Sequence, residues 1–293
     1  MTALPDVVKA EQSLGSRIAG VLGGTLVRIF LIVIGLFWLL PSFGLLMSSL
    51  RDREDINSSG WWTVFTAPSQ LTFSNYDALL SNDALMDSLV TTLLITVPST
   101  LLVVVIGSLA AYAFAWMDFP GRDWCFLAVV ALLVVPVQVA LIPISSLFDN
   151  LGIYQSLFSV ILFHTAFGLP FAVFLLRNFF AEIPRELLEA ARLDGASEVR
   201  LFTRVVMPLG GPAIAALGIF QFLWVWNDFL VAFIFADPGS PPTTVAIQQQ
   251  ARQFDNNIDV IASGAFISLI IPLVVFFAFQ RQFVSGVMAG AVK

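Results

Sequence analysis

The sequence predicts an all-α membrane protein with six transmembrane helices, and two observations carry that reading. Of the 293 residues, 58% are hydrophobic and only 12% charged, with 28 Phe; a soluble domain is about a quarter charged. The apolar residues also fall in runs long enough to cross a bilayer core, which takes about 20 residues as helix. Lipid is the solvent of this chain.

The elements follow in order. The N-terminal segment, 1–25, is interrupted by Asp6 and Glu11 and leads into a full-length first span at 26–50, so it does not read as a cleavable signal. A polar segment of about 51–85 precedes the second span, 86–116. The turn "MDFPGRD" (117–123) leads to the third span, 124–148, and "DNLGIYQS" (149–156) to the fourth, 156–180. A charged insertion at about 182–212 runs into the fifth span, 205–236; a segment at 237–259 then leads to the sixth, 260–280. The membrane domain is therefore 26–283, with a C-terminal tail at 284–293. The second and fifth runs exceed a minimal span, so tilt or an extra turn is expected there. Pro98, Pro136, Pro143, Pro170 and Pro272 lie within spans, where neighbouring helices satisfy the freed carbonyls. The small residues Gly107, Ser108, Ala110 and Ala111 suit close helix–helix contact.

Charge sets the orientation. Lys9, Arg17, Arg28, Arg122, Arg177, Arg185, Arg192, Arg200, Arg204, Arg281 and Lys293 fall on the side of the N-terminus, against Arg51, Arg53 and Arg252 on the other. The positive-inside rule puts both termini and the insertion in the cytoplasm. The net charge of −6 resides mostly on the opposite face and gives no reason to expect nucleic acid as a partner. A lone Cys125 excludes an internal disulfide or a zinc cluster.

The insertion contains "EAARLDGASEVRLFTRVVMPLGGP", Glu189 to Pro212. Pro184 suits a first-turn position and Glu186 favours the positive helix N-terminus. Asp194-Gly195 ends that helix, since Gly tolerates the left-handed conformation, and Ser197 is placed to cap a second one. A helix of about ten residues is marginal alone and needs a surface to pack on. That surface is either the membrane, for an amphipathic connector, or a cytoplasmic protein, for a docking knob.

These residues closely resemble the EAA loop of permease subunits in ATP-binding-cassette importers. The matches are Glu189, Ala190, Ala191, Gly195 and Pro208, and Met207 stands where the family often has Leu. "FPGRD" at 119–123, "WNDFL" at 226–230 and the ending "QRQFVSGVMAGAVK" are similar to the carbohydrate branch, specifically its maltose-type second permease; the region after 243 resembles α-glucoside permeases. The resemblance implies a permease in the bacterial cytoplasmic (inner) membrane, working by alternating access. It implies coupling to the ATPase through Glu189, Ala190, Ala191, Asp194, Gly195 and Pro208 on a cytoplasmic helix between the fourth and fifth spans. Its expected partners are a second homologous permease, two ATPase subunits and an extracytoplasmic sugar-binding protein. ATP and Mg would be held by the ATPase and not by this chain: a P-loop needs Gly-Lys-Ser/Thr, and the only lysines are Lys9 and Lys293.

Asp228 is the one carboxylate inside an apolar span, where an unpaired charge costs several kcal/mol. Counting back from Asp237 along a continuous helix places it roughly 13 Å below the outer end. With Asn227, Trp224 and Trp226 it forms the candidate translocation pathway; the competing readings are structural pairing for Asp228 and an interfacial aromatic belt for the tryptophans. His164, the sole histidine, reads as a packed or hydrogen-bonded residue. In the segment 237–259, prolines stiffen the first half, while Gln248, Gln249, Gln250, Arg252 and Phe254 are candidates for contact with the binding protein. The alternative function is an ion-coupled secondary transporter of a small solute. It would need ionisable residues within the spans, and the chain offers Asp228 and His164 only.

Overall fold

The computed structural model describes residues 14–253 and 258–289. They are helical, apart from connecting turns and one isolated antiparallel bridge between Arg51 and Leu71. Helix α1 (Leu14–Ser49) leads into a small cap made of α2 (Arg53–Ser58), two 3-10 turns (Trp61–Phe65 and Pro68–Gln70) and α3 (Ser74–Leu80). Then come α4 (Asp83–Trp116), α5 (Arg122–Leu132), α6 (Val137–Asn150) and α7 (Leu157–Ala181). The insertion is α8 (Arg185–Leu193) and α9 (Glu198–Leu201), the latter running through a π turn (Phe202–Val206) into α10 (Met207–Leu209). α11 (Gly211–Trp226), α12 (Leu230–Phe235), α13 (Thr243–Gln253) and α14 (Ile258–Ala289) follow. The last helix thus runs past 283, where the tail was expected to begin.

Within these residues, α1, α4, α7 and α14 are each long and apolar enough to cross a bilayer, and counting each of two bent pairs as one span gives six. The third span, expected as one helix, is α5 and α6 meeting at 101°. Pro136 causes the break: it has no N–H to continue the ladder, and it disfavours helical backbone at the residue before it. The fifth run is divided by two interruptions. The insertion helices meet α11 at 77° across Gly210, and the helix stops again between Trp226 and Leu230. α4 does exceed a minimal span as expected: its 34 residues reach roughly 51 Å at 1.5 Å per residue.

The centre is the α4–α7 pair, against which α11 packs. Small residues permit the close approach: a Cβ on Gly107 would lie 2.7 Å from that of Ala172. Around this contact Val103, Ala111, Leu176, Phe180 and Leu217 are buried, and the cluster continues into the insertion through Leu188, Leu201 and Val206. A second core joins Phe163 of α7, Val225 of α11 and Phe235 of α12. α1 rests on α14 and the Trp61 turn, with its apolar side chains from Leu26 to Leu40 exposed.

The polar segment after α1 is folded around a buried guanidinium. Arg51 is 1% exposed. It donates to Gln70 Oε1 (3.2 Å), Ser59 O (3.1 Å), Asp55 O (2.8 Å) and Ser59 Oγ (2.6 Å). Asn75 closes the cap onto α1 by donating to the carbonyls of Ser49 and Arg51.

Candidate functional site

Three clusters bear on function, one near each end of the bundle and one inside it. The first is the insertion. α8 starts after Pro184, which stands at the cap position, and buries Leu188 on the bundle. Gly195 follows at φ +79°, the left-handed turn expected of it. Ser197 stands at the cap of α9 but makes no side-chain capping bond. Glu189, Ala190 and Asp194 are exposed, whereas Ala191 packs against the core. Glu189 forms no hydrogen bond or ion pair within the described chain. Pro208 sits in the first turn of α10. Leu187, Leu193 and Val199 also stand exposed, so the outward surface mixes apolar and charged side chains.

A network not anticipated from the sequence fixes this insertion to the bundle. Arg192 of α8 pairs with Glu198 Oε1 at 3.2 Å across the Gly195 turn. The other oxygen of Glu198 accepts from Tyr112, near the end of α4, at 2.5 Å. One turn further along α4, Trp116 Nε1 donates to Phe180 O at the end of α7, 3.0 Å away. α4 therefore holds both chain segments from which the insertion emerges.

The second cluster surrounds the break after α11. Asp228 does not lie on a continuous helix, so the depth counted from Asp237 does not apply. Instead its carboxylate caps α12, accepting from Val231 N (3.4 Å) and Ala232 N (2.9 Å). Its Oδ2 also lies 3.5 Å from Nε2 of the fully buried His164. Asn227 turns away and donates to Leu223 O. Trp226 is a core residue: 1% exposed, stacked on Phe222, and donating to Ser268 O at 3.1 Å. Trp224 is partly exposed and meets His164 edge-on. The pathway candidates thus separate into a partly buried Asp228 beside the packed His164, a buried Trp226, and two more exposed residues, Trp224 and Asn227. Asp228 and His164 are far apart in sequence, and no periodicity connects them.

The third cluster is the segment after α12. Pro238 to Pro242 form the irregular excursion that proline requires, but the amide-rich half, expected as a loop, is the helix α13. Hydroxyl groups bind its start to α4: Thr243 N donates to Thr92 Oγ1 (2.9 Å), Thr243 and Thr92 share a hydroxyl contact at 3.0 Å, and Thr91 meets Ser240 at 3.0 Å. Thr244 Oγ1 donates to Asp228 O at 2.7 Å, tying α13 to the break. Gln248, Gln249 and Gln250 lie on α13; Phe254 falls outside the described residues, and Arg252 is described in backbone only. No group of three or more His, Cys, Asp or Glu among the described residues is arranged to hold a metal ion.

Comparison with known proteins agrees with this architecture. An osmoprotective-compound uptake permease of Synechocystis sp. is 44% identical over 272 residues, 91% of either chain. An α-glucoside transport system permease of Rhizobium meliloti is 41% identical over 253 residues, covering 83% of this chain and 67% of that one. Among solved structures, a bacterial ABC transporter involved in import of the acidic polysaccharide alginate superposes with a TM-score of 0.73 at 21% identity, over 93% of this chain and 98% of that one, which shows the fold. A family model matches residues 103–288, and on that match the chain belongs to the binding-protein-dependent transport system inner membrane components.

Proposed function

We propose that this chain is one of the two permease subunits of an ATP-driven sugar importer, carrying a neutral α-glucoside such as maltose or trehalose. The observation that supports it most directly is the insertion: an exposed short helix with an unpaired Glu189, held by its buried side to the ends of α4 and α7. A helix this short, built outward and anchored inward, is suited to receive a partner. In this reading Glu189, Ala190, Ala191, Asp194, Gly195 and Pro208 form the coupling element for two ATPase subunits. Those subunits bind ATP and Mg, and α4 and α7 pass their movement to the bundle.

The positive-inside count supports placing the insertion and both termini in the cytoplasm of a bacterial cell, with the membrane in question its inner membrane. The Arg51 cap and α13 then face outward, toward an extracytoplasmic binding protein, for which α13 supplies contact. Alternating access follows if ATP favours one of two bundle states, since a ligand shifts an equilibrium only by differential affinity. The substrate class is supported by the 41% identity to the α-glucoside permease. The ion-coupled reading has the Asp228–His164 pair in its favour, but it gives the anchored insertion no role. Affinity purification in detergent tests the proposal. Recovery of an ATPase and a second permease with this chain is the expected result, and recovery of this chain alone counts against it.

A further inference from the structure

Between the first turn of α4, the proline-rich excursion and α13 lies a cavity of about 290 Å³. Its polar wall consists of Asn82, Asp87, Ser88, Ser240, Gln249 and Gln250, set among aliphatic and proline side chains. The two serines are committed to the fold, Ser88 to Thr243 (3.4 Å) and Ser240 to Thr91 (3.0 Å), so the two sides of the cavity are fastened together. The other groups are not. Asp87, Gln249 and Gln250 take part in no hydrogen bond or ion pair within the described chain. Asn82 uses its oxygen to cap Leu85 N at 3.3 Å, which leaves its amide N–H groups free.

That inventory matches one class of ligand. A carboxylate accepts two hydroxyl protons, and carboxamides both donate and accept, so together they complement a ring of vicinal hydroxyls. No Lys or Arg stands among the described lining residues, so of these an acidic saccharide would meet only the like charge of Asp87. The volume lies at the small end of ligand pockets, which begin at about 300 Å³, and suits a sugar ring and not an oligosaccharide chain.

We infer that this cavity is a saccharide subsite at the outer mouth of the permease, in which Asp87, Gln249, Gln250 and the Asn82 amide hold one ring of a neutral sugar. The inference rests on the reading of the chain as a sugar importer with α13 outside. It adds a sugar contact separate from Asp228 and from the binding protein. Because α13 is hydrogen-bonded to α4 and to the Asp228 break, occupancy would bear on the elements around the candidate pathway.

Two measurements on the intact complex test it. In a Cys125→Ser background, Ala84→Cys puts a thiol on the exposed rim, read by its rate of reaction with a membrane-impermeant maleimide. Maltose or trehalose is expected to slow that reaction several-fold, and glucuronate to leave it unchanged. An equal rate with every sugar, or equal protection by glucuronate, overturns the subsite. In transport, Asp87→Leu should raise the KM for uptake while the loaded binding protein still stimulates ATP hydrolysis, and Asp87→Asn should recover part of the loss. Unchanged uptake in Asp87→Leu overturns the subsite alone. Absence of sugar uptake by the unaltered complex overturns the importer reading, and the subsite with it.

Discussion

Tyr112 donates its hydroxyl hydrogen to Glu198 at 2.5 Å, joining the end of α4 to the first residue of α9. Hydrogen bonds to a charged group contribute about 1.5–3 kcal/mol. Glu198 is half exposed and also engaged by Arg192, so water and Arg192 offset part of any loss. Tyr112→Phe is therefore expected to lower stability by about 1.5 kcal/mol, near the bottom of that range. The larger effect should be on coupling, with ATP hydrolysis continuing and sugar uptake falling. Thermal unfolding in detergent and the ratio of uptake to hydrolysis check both halves. A Tyr112→Phe chain with normal uptake would falsify the role given to this link.

Glu189→Lys and Gly195→Pro should both abolish uptake, for different reasons. Glu189 is exposed and internally unpaired, so its reversal should leave thermal stability unchanged and remove the co-purifying ATPase. Gly195 sits at φ +79° and donates its N–H to Arg192 O at 3.0 Å. Proline is fixed near φ −65° and has no N–H, so Gly195→Pro should also disorder the turn. Nothing lies within 4 Å of a Cβ at this position, so Gly195→Asn, which tolerates positive φ, should be the mildest replacement. Co-purification with the ATPase ranks the three.

Asp228→Asn should be tolerated better than Asp228→Leu. Asn retains one acceptor for the α12 N-terminus, whereas Leu leaves the N–H groups of Val231 and Ala232 without one. Each buried polar group so stranded costs about 1–3 kcal/mol. Uptake and thermal unfolding of the two variants provide the comparison. If instead Asn and Leu abolish uptake equally, and uptake responds to an uncoupler at constant ATP, the ion-coupled reading gains.

Arg51→Ala should loosen the cap without disturbing the bundle. It strands the Ser59 carbonyl, while Gln70 Oε1 and Asp55 O lose one donor each but keep Thr63 Oγ1 and Ser59 N, and the expected loss is about 1–3 kcal/mol within the cap. Arg51→Lys should recover little of it, because an ammonium lacks the fork that reaches several acceptors at once. Limited proteolysis between residues 53 and 72 reads the outcome, and an equal cleavage rate in Arg51→Ala argues against the staple.

The spans and the helix–turn–helix of the insertion are legible in the sequence because each depends on local composition: apolar length, and a glycine after a short amphipathic run. The interruptions are not. Pro136 breaks the third span, yet Pro98 and Pro170 lie inside the uninterrupted α4 and α7, and only the surrounding packing separates the cases. The helical fold of Thr243–Gln253 is hidden for a similar reason, since its start is held by Thr92 and Asp228, distant residues. Trp226 shows the limit of residue type as a guide: a tryptophan near a span end suggests an interface, but Phe222 and Ser268 O enclose it.

Helix α4 is gripped near its start by the hydroxyls around Thr243 and near its end by Glu198 and the Phe180 carbonyl, to which Tyr112 and Trp116 donate. Apart from the donor missing at Pro98, its backbone hydrogen bonds run along the axis. The two ends of the bundle therefore share a single rod, with no loop in between. On the coupling reading, an axial displacement imposed at one end would reach the other in the same stroke.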